Sequence, residues 1–328
     1  MANLPTPLEP LDRLSEFLNA PRIWIKRDDC TGLATGGNKT RKLEFLIGDA
    51  IRQGYKKVIT FGALQSNHVR QTAAAAAKMG LTCEPILTRR VDPVGPCYEQ
   101  SGNLILDKIF GAKIHIVDNE EQAYQKLHIL NKNGDYYVIP GGGSNIVGAL
   151  GYVACAMEMA EQFRAQHIEK AQIFHATSSG GTMAGLSAGL NYLKMQGVEH
   201  KLMGINVYDT DTTRIERITQ NLCRDLCAYI EERTGIKIEE PDLKFAHDYI
   251  GEDYGQPTEQ MLEAVELLAR LEGILVDPVY SGKALAGMID FIRRKKIEES
   301  FTPVFIHTGG VAGLFAYSDL FAGGSPGY

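Results

Sequence analysis

A lysine that directly follows two glycines is the first feature of this sequence that could carry chemistry. Residues 36–42 read GGNKTRK, and Lys39 is that lysine. Glycine lets the backbone approach a ligand closely. Lysine condenses with aldehydes, and does so more readily when burial or a cationic neighbour, here Arg41 and Lys42, lowers its pKa. Taken alone, the stretch is more typical of a basic surface turn, so its interpretation depends on the rest of the chain.

Residues 177–182 (TSSGGT) follow a predicted strand and precede a predicted helix. Free backbone N–H groups, hydroxyls and the positive end of a helix dipole at such a turn favour a bound phosphate. The turn lacks the GK[ST] ending of a Walker loop and is not the dinucleotide fingerprint GxGxxG. A phosphate site without its own lysine fits a small phosphorylated cofactor better than a nucleotide; a simple helix cap is the alternative.

Three further turns lie at strand ends or helix starts, where open α/β sheets collect their ligands. Residues 65–68 (QSNH) open an alanine-rich helix and offer N–H groups to a carboxylate, or simply an N-cap at Ser66 or Asn67. Residues 277–283 (DPVYSGK) contain Tyr280, which is an acid or base if its phenol is perturbed and otherwise a packed tyrosine. Residues 307–310 (HTGG) follow the last predicted strand.

Short β-rich runs alternate with longer helical runs, which predicts parallel sheets with helices on both faces. The predicted strands are 58–61, 113–117, 136–139, 172–176, 201–207 and 303–307. The predicted helices run from 66 or 67 to 78, from 120 to 132, from 145 onward, and from the 177–182 turn to 193. No linker is visible, so the division into a small α/β domain (48–155) and a large domain (1–47 with 156–328) rests on this pattern alone.

Composition restricts the classes of function. The chain has 328 residues, 44% hydrophobic and 23% charged, and a net charge of −6, which argues against a nucleic-acid binder. No apolar run approaches the ~18 residues of a membrane span. Residues 1–10 lack the pattern of a secretory signal, so we expect a cytoplasmic protein. The six cysteines form no CxxC pair, and no histidine pair accompanies Cys223 and Cys227, so we expect free thiols and no metal.

The five turns, in this order, resemble those of the fold-type II pyridoxal phosphate enzymes, and most closely the D-cysteine desulfhydrase and 1-aminocyclopropane-1-carboxylate (ACC) deaminase family. The similarity runs from residues 6–8 (TPL) and 25–29 (IKRDD) through 141–145 (GGGSN) and 148–152 (GALGY) to 307–310. Within that family, residues 30–42 look most like L-cysteate sulfo-lyase, which releases sulfite from cysteate. The resemblance implies pyridoxal phosphate as cofactor, a homodimer, and a tryptophan synthase β-like fold of two open, twisted, mainly parallel sheets flanked by helices.

The resemblance also implies roles for single residues. The expected cofactor-binding residues are Lys39, Lys42, Asn67, Ser179, Gly180, Gly181, Thr182, Ser281, Thr308 and Gly309. Among them Lys39 matches the lysine that holds the aldehyde, Lys42 a phosphate ligand, Asn67 the partner of the phenolic oxygen, and Thr308 that of the pyridine nitrogen. The expected catalytic residues are Lys39, Ser66, Tyr254 and Tyr280. The expected substrate-binding residues are Ser66, Asn67, His68 and Thr35.

One departure from the family pattern bears on the reaction. ACC deaminases of the well-known type carry glutamate where this chain has Ser281. A neutral partner makes the pyridine ring a weaker electron sink, which disfavours opening of a cyclopropane that has no acidic α-proton. The weaker electron sink suffices for α,β-elimination, and the resemblance of residues 30–42 to L-cysteate sulfo-lyase implies elimination of L-cysteate to pyruvate, sulfite and ammonia. The candidate donors for the sulfonate are Thr35, Ser179, Tyr208 and Arg70.

Other functions stay open at this point. D-cysteine desulfhydrase would use the same site with a thiol leaving group and the opposite hand at Cα. ACC deaminase is disfavoured and not excluded. A non-catalytic pyridoxal phosphate carrier is a different class, and the intact Lys39, Ser66 and Tyr280 argue against it. A nucleotide-binding Rossmann protein would need a glycine fingerprint that this chain lacks.

Overall fold

A computed structural model describes residues 1–91 and 96–322. Ten strands occur in it. They are β1 Leu8–Pro10, β2 Trp24–Lys26, β3 Lys57–Ala63, β4 Thr82–Thr88, β5 His115–Val117, β6 Tyr136–Ile139, β7 Ala171–Thr177, β8 Lys201–Asn206, β9 Phe245–Ala246 and β10 Thr302–Ile306. The strand predicted at 136–139 has these bounds, and the one predicted at 113–117 begins two residues later.

Eleven α-helices connect the strands of this part of the chain. They are α1 Asp12–Phe17, α2 Lys39–Arg52, α3 Asn67–Lys78, α4 Gly102–Ile109, α5 Glu120–Leu130, α6 Ile146–Ala165, α7 Gly181–Met195, α8 Thr212–Thr234, α9 Glu259–Glu272, α10 Ser281–Arg293 and α11 Val311–Ala316. Where a side-chain cap exists it is the expected residue type: Ser66 accepts from the N–H of Val69, and Asn145 from that of Gly148. Among these helices none is both long and apolar enough to cross a membrane.

The strands form two sheets, which confirms the predicted fold class. The larger sheet has the order β1-β2-β10-β7-β8-β9, and only its β1–β2 pair is antiparallel. The smaller sheet has the order β5-β4-β3-β6 and is parallel throughout. All four of its strands lie between residues 57 and 139. The domain boundaries at 48–155 and at 1–47 with 156–328 stay a prediction.

Strand β4 has no counterpart among the predicted strands, and Pro85 is the physical reason. Proline cannot donate to a sheet ladder, so its presence argues against a central strand. Here β4 is nevertheless central, between β3 and β5, with Pro85 opposite Thr60. Burial of its neighbours Glu84 and Ile86 accompanies this placement. Tertiary packing therefore overrides the local signal.

A buried ionic cluster fixes α2 to the rest of the protein. Arg41 donates to Asp28 at 2.9 Å and to Glu158 at 2.8 Å, and Lys26 donates to the same Glu158 carboxylate at 2.5 Å. A buried charge pair of this kind is costly to break because one charge would be left without a partner. The Arg41 guanidinium is therefore paired with these carboxylates and anchors α2. The expectation that Arg41 lowers the pKa of Lys39 as a cationic neighbour is wrong.

Candidate active site

Lys39 begins α2 in a loop that is packed against the turn after β10. The N–H of Asn38 donates to the carbonyl of Thr308 at 3.0 Å, and the side-chain amide of Asn38 donates to Thr182 at 3.0 Å. A Cβ on Gly309 would lie 2.6 Å from the Cα of Gly37, so only glycine allows the two turns to approach this closely. The loop is thus held from two sides, and Lys39 is presented at a fixed point.

The Lys39 side chain faces a cavity of about 570 Å³ between the two sheets. The predicted site residues that line it are Lys39, Ser66, Asn67, His68, Ser179, Tyr208, Tyr254 and Tyr280. A second cavity of about 20 Å³ adjoins it and is lined by Lys39, Ser179, Gly180, Thr182 and Tyr280. The structure therefore brings together turns that are far apart in the sequence. Such a concave site with a few converging polar groups is typical of a cofactor pocket.

Burial lowers the pKa of Lys39 to about 8, while the Asp277 carboxylate opposes this shift and the Arg70 guanidinium adds to it. The cationic neighbour that matters is therefore Arg70, which lies on α3 and which the sequence did not connect with Lys39. The Lys39 ammonium donates to the side-chain oxygen of Asn38 at 3.0 Å. An amine with this pKa is neutral in a substantial fraction of molecules near pH 8, as a nucleophile toward an aldehyde must be.

The start of α7 and the Lys42 side chain meet at Ser144. Gly180, with φ of +81°, precedes the helix without a side-chain cap, and the N–H of Gly181 reaches Ser144 Oγ at 3.2 Å. Lys42 is buried and donates only to the carbonyl of Gly142 (3.1 Å) and to Ser144 Oγ (3.2 Å), with no carboxylate beside it among the described residues. Its pKa lies well below the usual value because burial and Lys39 disfavour its charge.

A phosphate fits this site. A Cβ on Gly181 would come within 2.8 Å of the Lys42 amine and 2.5 Å of Ser144 Oγ, so the glycine leaves space between the buried Lys42 amine and the helix N-terminus. A dianion there would supply the counter-charge that Lys42 lacks and the acceptor that the helix N-terminus favours. Ser144, hydrogen bonded to Ser179 at 2.7 Å, is a member that the sequence reasoning did not assign a role.

The start of α3 is arranged differently. Ser66 caps its own helix by accepting from the N–H of Val69 at 3.3 Å. The carbonyl oxygen of the Asn67 side chain accepts from Arg70 at 3.0 Å and from Asn103 at 2.9 Å. Both of its acceptor positions are thereby used, so the NH₂ group of Asn67 remains the end that can donate to a ligand.

His68 lies beside Asn67 and is neutral. Its Nε2 pairs with the hydroxyl of Thr60 at 2.7 Å, and burial together with the charges of Lys39 and Lys42 holds its pKa well below the usual value. Because the ring carries no proton charge at neutral pH, it contributes a hydrogen-bonding edge and not a cation to the carboxylate loop.

Ser281, the residue expected near the pyridine ring, has a carboxylate directly beside it. Asp277 accepts from the Ser281 hydroxyl at 2.5 Å and from the backbone N–H groups of Val279 (3.0 Å) and Ser281 (2.8 Å). The same hydroxyl lies 3.1 Å from the carbonyl of Gly309. The hydroxyl oxygen also accepts from the backbone N–H of Asp277 at 2.9 Å, so one lone pair of Ser281 remains for a ligand. Asp277 stands in the quoted DPVYSGK stretch, yet the sequence reasoning gave it no role.

Three tyrosines and one arginine form an aromatic wall of the cavity. The hydroxyls of Tyr254 and Tyr280 are hydrogen bonded, and their ring centroids are 5.8 Å apart. The rings of Tyr208 and Tyr254 are 5.2 Å apart, with Arg90 over both. Burial raises the pKa of both Tyr254 and Tyr280, so both phenols are protonated at neutral pH. Arg90 escaped the sequence reasoning because it belongs to no recognisable motif.

Some predicted residues lie elsewhere. Thr35 is exposed on a short 3-10 turn and does not line the cavity. Arg70 is buried and its guanidinium is engaged by Asn67, Asn103 and the carbonyl of Gly36, so it is not available to a sulfonate. Thr308 and Gly309 lie in the turn packed against the Asn38 loop. These two residues do not line either cavity, and neither do Lys42, Gly181 and Ser281.

Comparison with known proteins agrees with this geometry. The family model "Pyridoxal-phosphate dependent enzyme" matches residues 1–309. Two proteins named D-cysteine desulfhydrase are similar over 320 residues, which are 95% of this chain and 93% of each relative: one from Serratia proteamaculans (43% identical) and one from Yersinia enterocolitica (44%). A solved structure described as an ACC deaminase homologue superposes with a TM-score of 0.83 at 36% identity, covering 97% of this chain and 93% of its own.

Proposed function

The chain belongs to the pyridoxal-phosphate dependent enzyme family, and from this premise we propose that it is a carbon–sulfur lyase that removes the β-substituent of a small amino acid. The observation that carries the proposal is the position of Lys39, a partly buried lysine of pKa about 8 that lines a cavity between the start of α7 and the start of α3. The substrate we propose is L-cysteate, which with one water gives pyruvate, ammonia and sulfite.

The phosphate of the cofactor is held, in this proposal, by Lys42, Ser179 and the start of α7, and its phenolic oxygen by the NH₂ group of Asn67. When bound, pyridoxal phosphate withdraws electron density from the Cα of the amino acid joined to it. Ser281, backed by Asp277, is the proposed partner of the pyridine nitrogen. The Ser281 hydroxyl donates to the Asp277 carboxylate and accepts from the Asp277 N–H, so in this proposal its remaining lone pair is the acceptor. The Asp277 carboxylate adds a negative charge to this side that the serine alone would not supply.

The remaining side chains bind the substrate and move protons. The start of α3, with Ser66 and Asn67, receives the substrate carboxylate, because a helix N-terminus favours an anion. The neutral amine of Lys39 takes the proton from Cα. The hydroxyls of Tyr254 and Tyr280 are hydrogen bonded to each other, so the phenol whose proton is not used in that bond donates on the opposite side of the cavity, where the β-substituent departs.

D-cysteine is the second candidate substrate, and the names of the two similar bacterial proteins favour it. It requires the same Lys39, the same carboxylate loop and a smaller, thiol leaving group. The stretch 30–42, which looks most like that of cysteate sulfo-lyases, favours cysteate instead.

The test is to incubate the holoenzyme separately with L-cysteate, D-cysteate, D-cysteine and ACC, and to measure sulfite, sulfide, pyruvate and ammonia. We expect sulfite and pyruvate in equal amounts from L-cysteate. Sulfide from D-cysteine without sulfite from L-cysteate would replace the first candidate by the second. Ammonia from ACC with no product from the other three would reject the elimination altogether.

We further propose a homodimer in a reducing, cytoplasmic compartment. All six cysteines of the chain lie within the described residues and are free thiols there, which supports a reducing compartment. Sedimentation equilibrium of the holoenzyme tests the dimer, and a mass of one chain would contradict it.

A further inference from the structure

We infer that Arg90 is the specificity-determining residue of this site and binds an anionic group on the substrate's β-carbon. The inference rests on the proposed function, since it names the class of β-substituent that the proposed lyase accepts. It depends on where Arg90 lies, on what surrounds its guanidinium group, and on how the other charges of the cavity are paired.

The position of Arg90 follows from the end of β4. Thr88 is the last residue of that strand and lines the cavity, and Arg89 and Arg90 follow it. Neighbouring residues of an extended segment point to opposite sides. Arg89 pairs outward with Glu99 at 3.4 Å and with Asp118 at 3.3 Å, whereas Arg90 turns inward and lines the cavity with Lys39.

The aromatic wall holds the Arg90 guanidinium in place. The central carbon of the guanidinium lies 4.1 Å from the ring centroid of Tyr208 and 5.1 Å from that of Tyr254. One of its N–H groups donates to the Tyr208 hydroxyl. A guanidinium that lies over a ring keeps its N–H donors in its own plane, where the ring does not cover them. The side chain is therefore pre-oriented and still has donors for an oxygen-rich anion such as a sulfonate.

Arg90 and Arg214 both line the cavity, and of the two positive charges that of Arg90 has the weaker carboxylate partner among the described residues. Arg214 lies 3.5 Å from the largely buried carboxylate of Asp209. Within residues 1–91 and 96–322, the carboxylate paired with Arg90 is that of Glu120, at 3.9 Å, and it is 64% exposed. An exposed pair at this distance contributes little, because water screens both charges. A substrate anion that enters between the two sheets thus meets a cation whose existing partner is weak.

The geometry of the substrate agrees with this placement. The proposed place of the α-carboxylate is the start of α3. Tyr280 lines both cavities together with Lys39 and is hydrogen bonded to Tyr254, over which Arg90 lies. An amino acid joined beside Lys39 with its carboxylate at Ser66 and Asn67 extends its β-substituent toward this aromatic wall. A negative charge on that substituent is compensated by Arg90, while a neutral thiol gains nothing from it.

Calorimetry of the holoenzyme with two unreactive ligands tests the inference without requiring turnover. The ligand 3-sulfopropanoate carries both anions of cysteate but no amine, and butanoate carries the carboxylate alone. We expect 3-sulfopropanoate to bind at least about ten times more tightly than butanoate. In Arg90→Gln that advantage should disappear while the Kd of butanoate is unchanged, and Arg90→Lys should restore part of it. Arg89→Gln is the matched control and should bind like the parent.

Two results would overturn the inference. An unchanged advantage of 3-sulfopropanoate in Arg90→Gln would mean that another group binds the sulfonate. An equal weakening of both ligands would mean that Arg90 binds the carboxylate or supports the fold. Neither result depends on the product assays, so a holoenzyme that fails to release sulfite from L-cysteate would reject the proposed substrate and leave this measurement to decide the role of Arg90.

Discussion

Two helices direct their N-termini toward the same cavity, and they begin in opposite ways. Helix α3 follows Ser66, whose side chain caps the helix by accepting from Val69. Helix α7 follows Gly180 and has no side-chain cap of its own. The N–H groups at the start of a helix need a partner from somewhere. An anion therefore adds less binding free energy at the capped start of α3, which suits a substrate that must be released. It adds more at the uncapped start of α7, which suits a cofactor that stays bound.

The largest expected effect is on turnover, and it comes from removing the Lys39 amine, which lines both cavities between the starts of α3 and α7. In Lys39→Ala both helix ends remain, so pyridoxal phosphate should still bind at α7, while turnover falls about a thousand-fold or more because the proton carrier is lost. Absorbance of the bound cofactor and pyruvate release measure the two quantities. Lys78→Ala, an exposed lysine at the end of α3, is the control and should behave like the parent. Retained turnover in Lys39→Ala would contradict the assignment.

A methyl group added at the uncapped start of α7 should weaken binding of the cofactor without changing binding of the substrate. In Gly181→Ala the new methyl group lies 2.8 Å from the Lys42 amine and 2.5 Å from Ser144 Oγ. We expect the Kd of pyridoxal phosphate, measured by titration of the apoenzyme, to rise about 30-fold as an anion–donor contact is lost, with the KM of the loaded enzyme unchanged. Gly48→Ala, where a Cβ meets nothing within 4 Å, is the control. An unchanged cofactor Kd would place the phosphate elsewhere.

The amine itself can be tested by pH. The folded pKa of Lys39 is lowered to about 8, so the neutral, reactive form grows as pH rises through that value. Between pH 7 and pH 9 the rate at which the apoenzyme takes up pyridoxal phosphate should rise about ten-fold, then level off. The same measurement on Nα-acetyl-lysine corrects for ionisation of the cofactor. A rate that is still climbing at pH 10 would show that burial does not lower this pKa.

Removal of the cap at α3 should have the smallest effect. Ser66→Ala should destabilise the fold by about 1 kcal/mol, as loss of an N-cap does, and raise the substrate KM several-fold while the absorbance of the cofactor is unchanged. Thr258→Ala removes a comparable cap, that of α9, away from the cavity. It should lower the unfolding midpoint similarly without changing KM. If both variants shift KM alike, the effect of Ser66 is only structural.

The sequence predicts those parts of the site whose signals are local. Gly-Gly before Lys39, the Ser-Gly turn before α7 and the cap at Ser66 each depend on residues next to one another. Lys39, Ser179 and Ser66 of these three stretches line the cavities. Alternation of strands and helices likewise predicted the two parallel sheets. Beyond this, the resemblance to a known family supplied most of the single roles.

The parts that could not be predicted depend on contacts between distant segments. Arg90 reaches Tyr208 across the cavity, and Arg41 pairs with Glu158 rather than acting on Lys39. Arg70 looked available to a sulfonate and is instead engaged by buried groups such as Asn103. In each case an arginine has several possible partners in the sequence, and only the fold decides which of them it meets.

The contact between the glycines at 37 and 309 has a consequence for synthesis of the protein. Lys39 is made early, but the turn that holds its loop follows β10 and is made only after nine other described strands. A nascent chain on the ribosome therefore contains the lysine, the phosphate turn and the carboxylate loop well before they can be assembled. Cofactor loading becomes a late event, and a chain that stops short of residue 302 should be unable to retain pyridoxal phosphate.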